Sequence, residues 1–287
     1  MRRLLVLAIP VCALAVTATA TGGRTSAVAS CAKADLKTVT SGKLTVGTDN
    51  PAYPPWFAGT PAKGSKWKVG DPTSGKGFES AVAFAVAKQL GFGKGDVVWT
   101  YVPFAKSYAP GPKSFDFDIN EISYTPARAK VVDFSDSYYD VNQAVVVNKG
   151  TPIASVHSIA GLRKYKFGAQ LGTTSYNAIV NVIKPTSKPA VYDTNDKAVF
   201  ALKSKQIDAL VVDLPTAFYV TAVQVPNGRI LGQLAAKTGE HFGMVLKKGN
   251  PLTACVNQAL AKLKANGTLK AIQALWLSKV VAAPVLR

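Results

Sequence analysis

Two short polar breaks, Asn148-Lys149-Gly150 and Lys247-Lys248-Gly249, each close an apolar run that reads as a β-strand. They punctuate a chain in which strand and helix patterns otherwise alternate from Leu44 to Leu277. That alternation is the strongest constraint on the fold, because strands separated by helix-length segments assemble into α/β layers with largely parallel sheets. The matching breaks point to one lobe inserted into another, with the chain crossing twice between them. A cleft between two such lobes is a natural small-molecule site, since both walls contribute polar groups and closure excludes water.

The elements follow from periodicity. Leu44–Gly47, Val97–Val102, Phe115–Ile122 and Gln143–Val147 are predicted strands, the third from its alternation of apolar and polar residues. Ser80–Leu90 is a predicted helix with Val82, Val86 and Leu90 at four-residue spacing, and Thr125-Pro126 opens a turn with proline at the first helical position. Beyond Gly150 the spacing predicts strands at Lys166–Gln170, Ala209–Val212 and Phe242–Leu246, and helices at Ser175–Ile183, Asp196–Ser204 and Pro215–Val223. Two further helices, Pro251–Ala265 and Thr268–Leu277, are separated by the stop signal Asn266-Gly267. The expected organisation is residues 31–147 and 246–287 in a first lobe and 148–245 in a second.

Residues 1–30 read as a secretory signal peptide: Arg2 and Arg3 precede an apolar run from Leu4 to Ala20 that Pro10 breaks, too short for a membrane span. The mature chain then sits outside the cytoplasm, in the periplasm or cell envelope. Cleavage removes Cys12 and leaves Cys31 and Cys255 in an oxidising compartment, an even count that suits one disulfide. The alternatives are two unrelated cysteines, or a lipobox reading of Val28-Ala29-Ser30-Cys31 with an acylated Cys31 anchoring the protein to the membrane. Against the lipobox, Gly22, Gly23 and Arg24 separate Cys31 from the apolar run. Losing residues 1–30 removes three arginines and no acid, lowering the formal charge from +18 to +15. The lysines are spread singly rather than gathered into an arm, so the charge suits an anionic envelope better than nucleic acid.

Catalytic and metal signatures are scarce. His157 and His241 are the only histidines, and there is neither a Gly-x-Ser-x-Gly elbow nor a phosphate loop. No metal, no cofactor and no catalytic residue is expected. Arg128, at the end of Ser123-Tyr124-Thr125-Pro126-Ala127-Arg128, offers a planar fork that matches a carboxylate, although on spacing alone it reads as a surface arginine. Gly172-Thr173-Thr174, between a strand and a helix, presents free N–H groups or an ordinary N-cap. Asp213 ends the strand Ala209–Val212, where it can meet an ammonium group or cap the next helix. Tyr53 and Trp56 lie in a proline-rich loop, where they can wall a pocket or pack a core.

Taken together and in order, Thr48-Asp49, Tyr53-Pro54-Pro55-Trp56, Gly77-Phe78-Glu79, Thr125-Pro126-Ala127-Arg128 with Val132-Asp133-Phe134-Ser135, Gly172-Thr173-Thr174 and Asp208-Ala209 with Asp213 resemble family 3 of the bacterial extracellular solute-binding proteins, over residues 43–277. The resemblance implies a type II periplasmic-binding-protein-like α/β fold, two lobes joined by two crossover strands. It implies a non-enzyme, a monomer, that closes on a free polar amino acid and delivers it to an ABC permease. By position, Arg128 would bind the α-carboxylate with backbone N–H groups of Ser123 and Thr174, beside Thr173. The Ser123 hydroxyl and Asp213 would take the α-ammonium, Tyr53 and Phe104 would pack on the carbon chain, and Asp49 and Gln170 would face the side-chain end. Glu121 departs from the family pattern, which often has a small residue there. Inside the cleft it would favour a cationic amino acid. The competing reading is an enzyme resembling the cyclohexadienyl or arogenate dehydratases of this fold, with Glu121 as general acid.

Overall fold

A computed structural model describes residues 30–234, 239–278 and 283–287. The signal peptide read at 1–30 therefore falls, apart from Ser30, outside the described residues.

The first lobe is built on a five-stranded sheet. Strand β1 (Leu44–Thr48) lies between β2 (Val97–Tyr101) and β3 (Phe117–Asp118), parallel to both, and β12 (Val245–Lys247) pairs antiparallel with β3 and with β4 (Val132–Phe134). Helix α1 (Phe78–Gln89) buries Val82 and Val86 completely, and Leu90 seals its end. It packs with α8 (Leu252–Ala265) and α9 (Thr268–Leu277) over the sheet. Cys31 and Cys255 form a disulfide that pins the segment ahead of β1 to α8. A sulfur engaged in this way cannot also carry a lipid thioether.

The second lobe has a six-stranded sheet in the order β13 (Val285–Leu286), β10 (Gly228–Leu234), β6 (Gln143–Asn148), β9 (Ala209–Asp213), β7 (Phe167–Gln170) and β8 (Ala190–Tyr192). Its central strands are apolar on both faces. Ala144, Val146, Leu210 and Val212 point into one core with α6 (Asn195–Lys203) and α7 (Leu214–Tyr219), whereas Val145, Val147, Ala209 and Val211 point into another with α4 (Ile159–Leu162) and Phe167. Burial on both faces explains why these strands read as continuous apolar runs.

Three expectations need correction. The sheets are mixed rather than largely parallel, because β6 runs antiparallel to both its neighbours, as β12 does in the first lobe. Phe115–Ile122 contributes only Phe117–Asp118 to the ladder, and its polar residues Asp116, Asp118 and Asn120 are buried instead of facing water. Asp116 earns burial by accepting from the Val39 and Thr45 N–H groups at 2.7 and 2.6 Å.

The third correction concerns the crossings. The breaks at 148–150 and 247–249 are turns within a lobe; β6, read as the end of the first lobe, belongs to the second sheet. The chain crosses earlier, where β5 (Tyr139–Asp140) and β11 (His241–Phe242) pair antiparallel as a two-stranded ribbon of their own. The last residues also leave the first lobe: β13 pairs with β10, Gln233 N–H donates to Pro284 O at 2.8 Å, and Leu286 is buried in the second-lobe core. A third tie therefore joins the lobes.

Candidate functional site

Strand ends deliver the site. Asp49 follows β1, Gln170 ends β7 and Asp213 ends β9, so three polar side chains emerge at the carboxyl edges of both sheets, where α/β folds hold ligands. Between them lies a cavity of about 400 Å³. It is lined from the first lobe by Asp49, Tyr53, Phe104 and Glu121, and from the second by Gln170, Thr173, Thr174 and Asp213. Ser123 and Arg128, expected in the same cleft, are not part of the lining; they sit behind it.

Local chemistry explains each placement. Thr173 N-caps α5 (Thr174–Ala178), accepting from Tyr176 N–H at 3.1 Å, and Thr125 does the same for the turn α3 (Pro126–Ala129), accepting from Arg128 N–H at 3.2 Å. Asp213 caps nothing. Its carboxylate accepts from Gln143 Nε2 at 2.7 Å, so the side chain is turned to the cleft rather than to its own helix. Glu121 adopts a left-handed backbone (φ +54°), costly for a residue with a Cβ and tolerated here because its N–H donates to the buried Glu79 Oε1 at 2.7 Å. That turn aims the Glu121 carboxylate into the cavity, where Oε2 accepts from Thr216 Oγ1 at 2.8 Å. Thr216 in turn accepts from Trp56 Nε1 at 3.0 Å.

Several of these bonds run between lobes. Besides the Trp56–Thr216–Glu121 chain, Tyr53 Oη donates to Asp196 at 2.7 Å and Tyr108 Oη to Gly172 O at 3.2 Å. Arg128 is 8 % exposed, with its guanidinium 4.2 Å from the Tyr108 ring centroid. Nη1 donates to Ser123 O at 2.6 Å within the first lobe and Nη2 to Gly172 O at 2.9 Å in the second. The reading of Arg128 as a surface residue is therefore wrong, and two of its five N–H donors are already spent on carbonyls.

Residues 44–279 match the model of the bacterial extracellular solute-binding proteins, family 3. The chain belongs to this family. Among curated relatives, the ABC transporter glutamine-binding protein GlnH of Bacillus subtilis is 30% identical over 73% of this chain and 76% of its own length. ABC transporter arginine-binding protein 1 of Escherichia coli is 29% identical over 70% and 81%. Among solved structures, an ancestral arginine-binding protein bound to arginine superposes with TM-score 0.65 at 32% identity, covering 82% of this chain and 98% of that one.

In this family 3 protein the cavity lining contains, among the described residues, five carboxylates, Asp49, Glu121, Asp193, Asp196 and Asp213, and no lysine, arginine or histidine. The contrast with a chain of formal charge +18 is sharp. Burial, and after it the neighbouring Glu79 and Asp213 charges, holds the Glu121 carboxyl well above its usual range. Burial, and after it the field of Glu240, pushes the Asp213 carboxyl up to about 8. Such a group favours the folded, ligand-free protein most strongly below the unfolded value of 3.8, and that contribution is lost as pH rises through about 8. Were a ligand ammonium to pair with Asp213 it would need the ionised form, so binding below about pH 8 would expel a proton and affinity would fall by up to about tenfold per pH unit on acidification. Calorimetry near pH 6, 7 and 8, in buffers of different ionisation enthalpy, reads that proton; binding without proton release contradicts this role for Asp213.

Sequence reading missed Gln143, Asp196, Thr216, Tyr219 and Glu240. Gln143 left one signal, a polar residue opening an otherwise apolar strand. Glu240 left none, because its partners Ser123 and Gln143 are 117 and 97 residues away in the chain.

Proposed function

We propose that this solute-binding protein captures a cationic amino acid, arginine or lysine, outside the cytoplasm and presents it as a monomer to an ABC permease. The observation that carries the reading is the cavity that the described residues line with five carboxylates and no basic side chain. The Glu121 carboxylate that departs from the family pattern is among them. A zwitterion surrenders hydration on burial and needs a charge-assisted partner at each end. Arg128, with the N–H groups of Ser123 and Thr174, is proposed for the α-carboxylate, and Asp213 for the α-ammonium. Tyr53 and Phe104 flank the carbon chain, and Asp49, Gln170 and Glu121 receive the distal cation. Because Arg128 and Asp213 come from different lobes, the ligand stabilises the closed arrangement.

A thermal-shift screen of the twenty amino acids tests the reading. Arginine or lysine at about one hundred times its Kd should stabilise the protein by about 2.7 kcal/mol. In the Glu121→Gln variant, affinity for arginine and lysine should fall more than affinity for glutamine, and equal losses for all three would remove the case for a cationic ligand.

A second reading, a dehydratase, draws on Glu121 being buried, which raises its carboxyl well above the usual range, the direction a general acid requires. It also draws on similarity to the ancestral amino acid-binding protein AncCDT-1, a precursor of cyclohexadienyl dehydratase (TM-score 0.65, 29% identity). Turnover of prephenate or arogenate decides it. The expected result is none.

A further inference from the structure

Ser123 and Arg128 are withheld from the cavity although the proposed capture of an α-carboxylate relies on both. The residue that engages the Ser123 side chain is itself a carboxylate. Glu240, half-buried and immediately before the crossover strand β11, accepts at Oε1 from Ser123 Oγ at 2.7 Å and from Gln143 Nε2 at 3.1 Å. One oxygen thus collects a donor from each lobe.

The proton inventory around it is closed. Ser175 Oγ donates to Gln143 Oε1 at 2.7 Å, which fixes the amide so that Nε2 faces both Asp213 Oδ1, at 2.7 Å, and Glu240. Ser123 Oγ carries a single proton, and Glu240 receives it; the 3.2 Å contact to Thr174 Oγ1 then has threonine as donor. Glu240 and Asp213 are the carboxylates whose fields act most strongly on the Arg128 guanidinium, with Glu240 ahead. Among the described residues no carboxylate oxygen lies within 4 Å of it.

We propose that Glu240 is a resident stand-in for the ligand's carboxylate, held on the hydroxyl of Ser123, the residue whose N–H is proposed for that carboxylate, and leaving it when an amino acid binds. This rests on the reading of the cleft as an amino acid site. A ligand carboxylate on the Ser123 N–H sits against the Glu240 carboxylate on the same residue's hydroxyl, and at close range the two repel. The incoming carboxylate therefore displaces Glu240 from Ser123, and because Glu240 is joined directly to β11 the displacement acts on a crossover between lobes. Ligands without a carboxylate have no reason to displace it. Glu240 accordingly sets how much an α-carboxylate is worth to this protein, and tunes selectivity between an amino acid and its decarboxylated amine.

Calorimetry of wild type and Glu240→Gln with the pairs arginine and agmatine, lysine and cadaverine, tests this. Glutamine at 240 still accepts from Ser123 but has no charge to oppose the ligand. Arginine or lysine affinity should rise about tenfold, while that of the amines stays level or falls. Glu240→Ala, checked for an intact melting transition, should do the same. Equal changes for acid and amine, or weaker binding of the amino acid, would mean that Glu240 is only an interlobe strut and would overturn the proposal. If neither wild type nor variants bind any amino acid, the amino acid reading falls as well; if the variants alone bind, the stand-in holds.

Discussion

Replacing Arg128 with alanine should weaken amino acid binding by about a hundredfold or more, the scale expected when one partner of a buried charge pair is removed. Two losses combine. The ligand carboxylate loses the guanidinium proposed to pair with it, and the two lobes lose the bridge from Ser123 O to Gly172 O that the guanidinium spans. Arg128→Lys should recover little, because an ammonium cannot reach both carbonyls in one plane or lie against the Tyr108 ring as the fork does at 4.2 Å. Calorimetry on both variants, with circular dichroism to check folding, measures the effect. Unchanged affinity in Arg128→Ala would remove the carboxylate assignment.

Removal of the Cys31–Cys255 bridge should cost about 2–5 kcal/mol of unfolding free energy, the range for native disulfides in secreted proteins. The bond closes a loop of 224 residues, so it restrains most of the unfolded chain. Its buried end, Cys255 at 2 % exposure, lies in the first-lobe core with Val256 and Leu260. Urea titration of the Cys31→Ser, Cys255→Ser double variant gives the number. Neither cysteine lines the cavity, so ligand affinity should stay within about twofold, as for independent sites. A stability change below about 1 kcal/mol would mean that the bridge constrains little.

Much of this architecture is legible in the sequence because both lobes obey simple periodicities. The four-residue spacing of Val82, Val86 and Leu90 places α1, and the apolar run Ala209–Val212 places β9 with Asp213 at its exit. Where reading fails, a long-range partner overrides the local pattern. Phe115–Ile122 alternates as a half-exposed strand should, yet Asp116 and Asp118 are buried. Ser175–Ile183 and Pro215–Val223 read as single α-helices but loosen into π-helical turns at Ile179–Ile183 and Val220–Gln224. The crossings escaped detection because Tyr139–Asp140 and His241–Phe242 are too short to carry a strand signal, whereas the breaks after Asn148 and Lys247 are conspicuous and only end strands. Eight of ten expected ligand contacts line the cavity, since motif order locates them. Glu240 depends on a pairing that only the crossover ribbon creates.

The strand β13 sets a limit on how wide the cleft can gape. It is stitched to the outer edge of the second sheet, while α9 ends against the first lobe's core. Only five residue steps separate Ser278 from Ala283. At no more than about 3.6 Å per step, the distance between those two residues is at most about 18 Å. Unless β13 peels away, that length is the ceiling on lobe separation along this side. Opening is then limited on the flank where β13 joins β10.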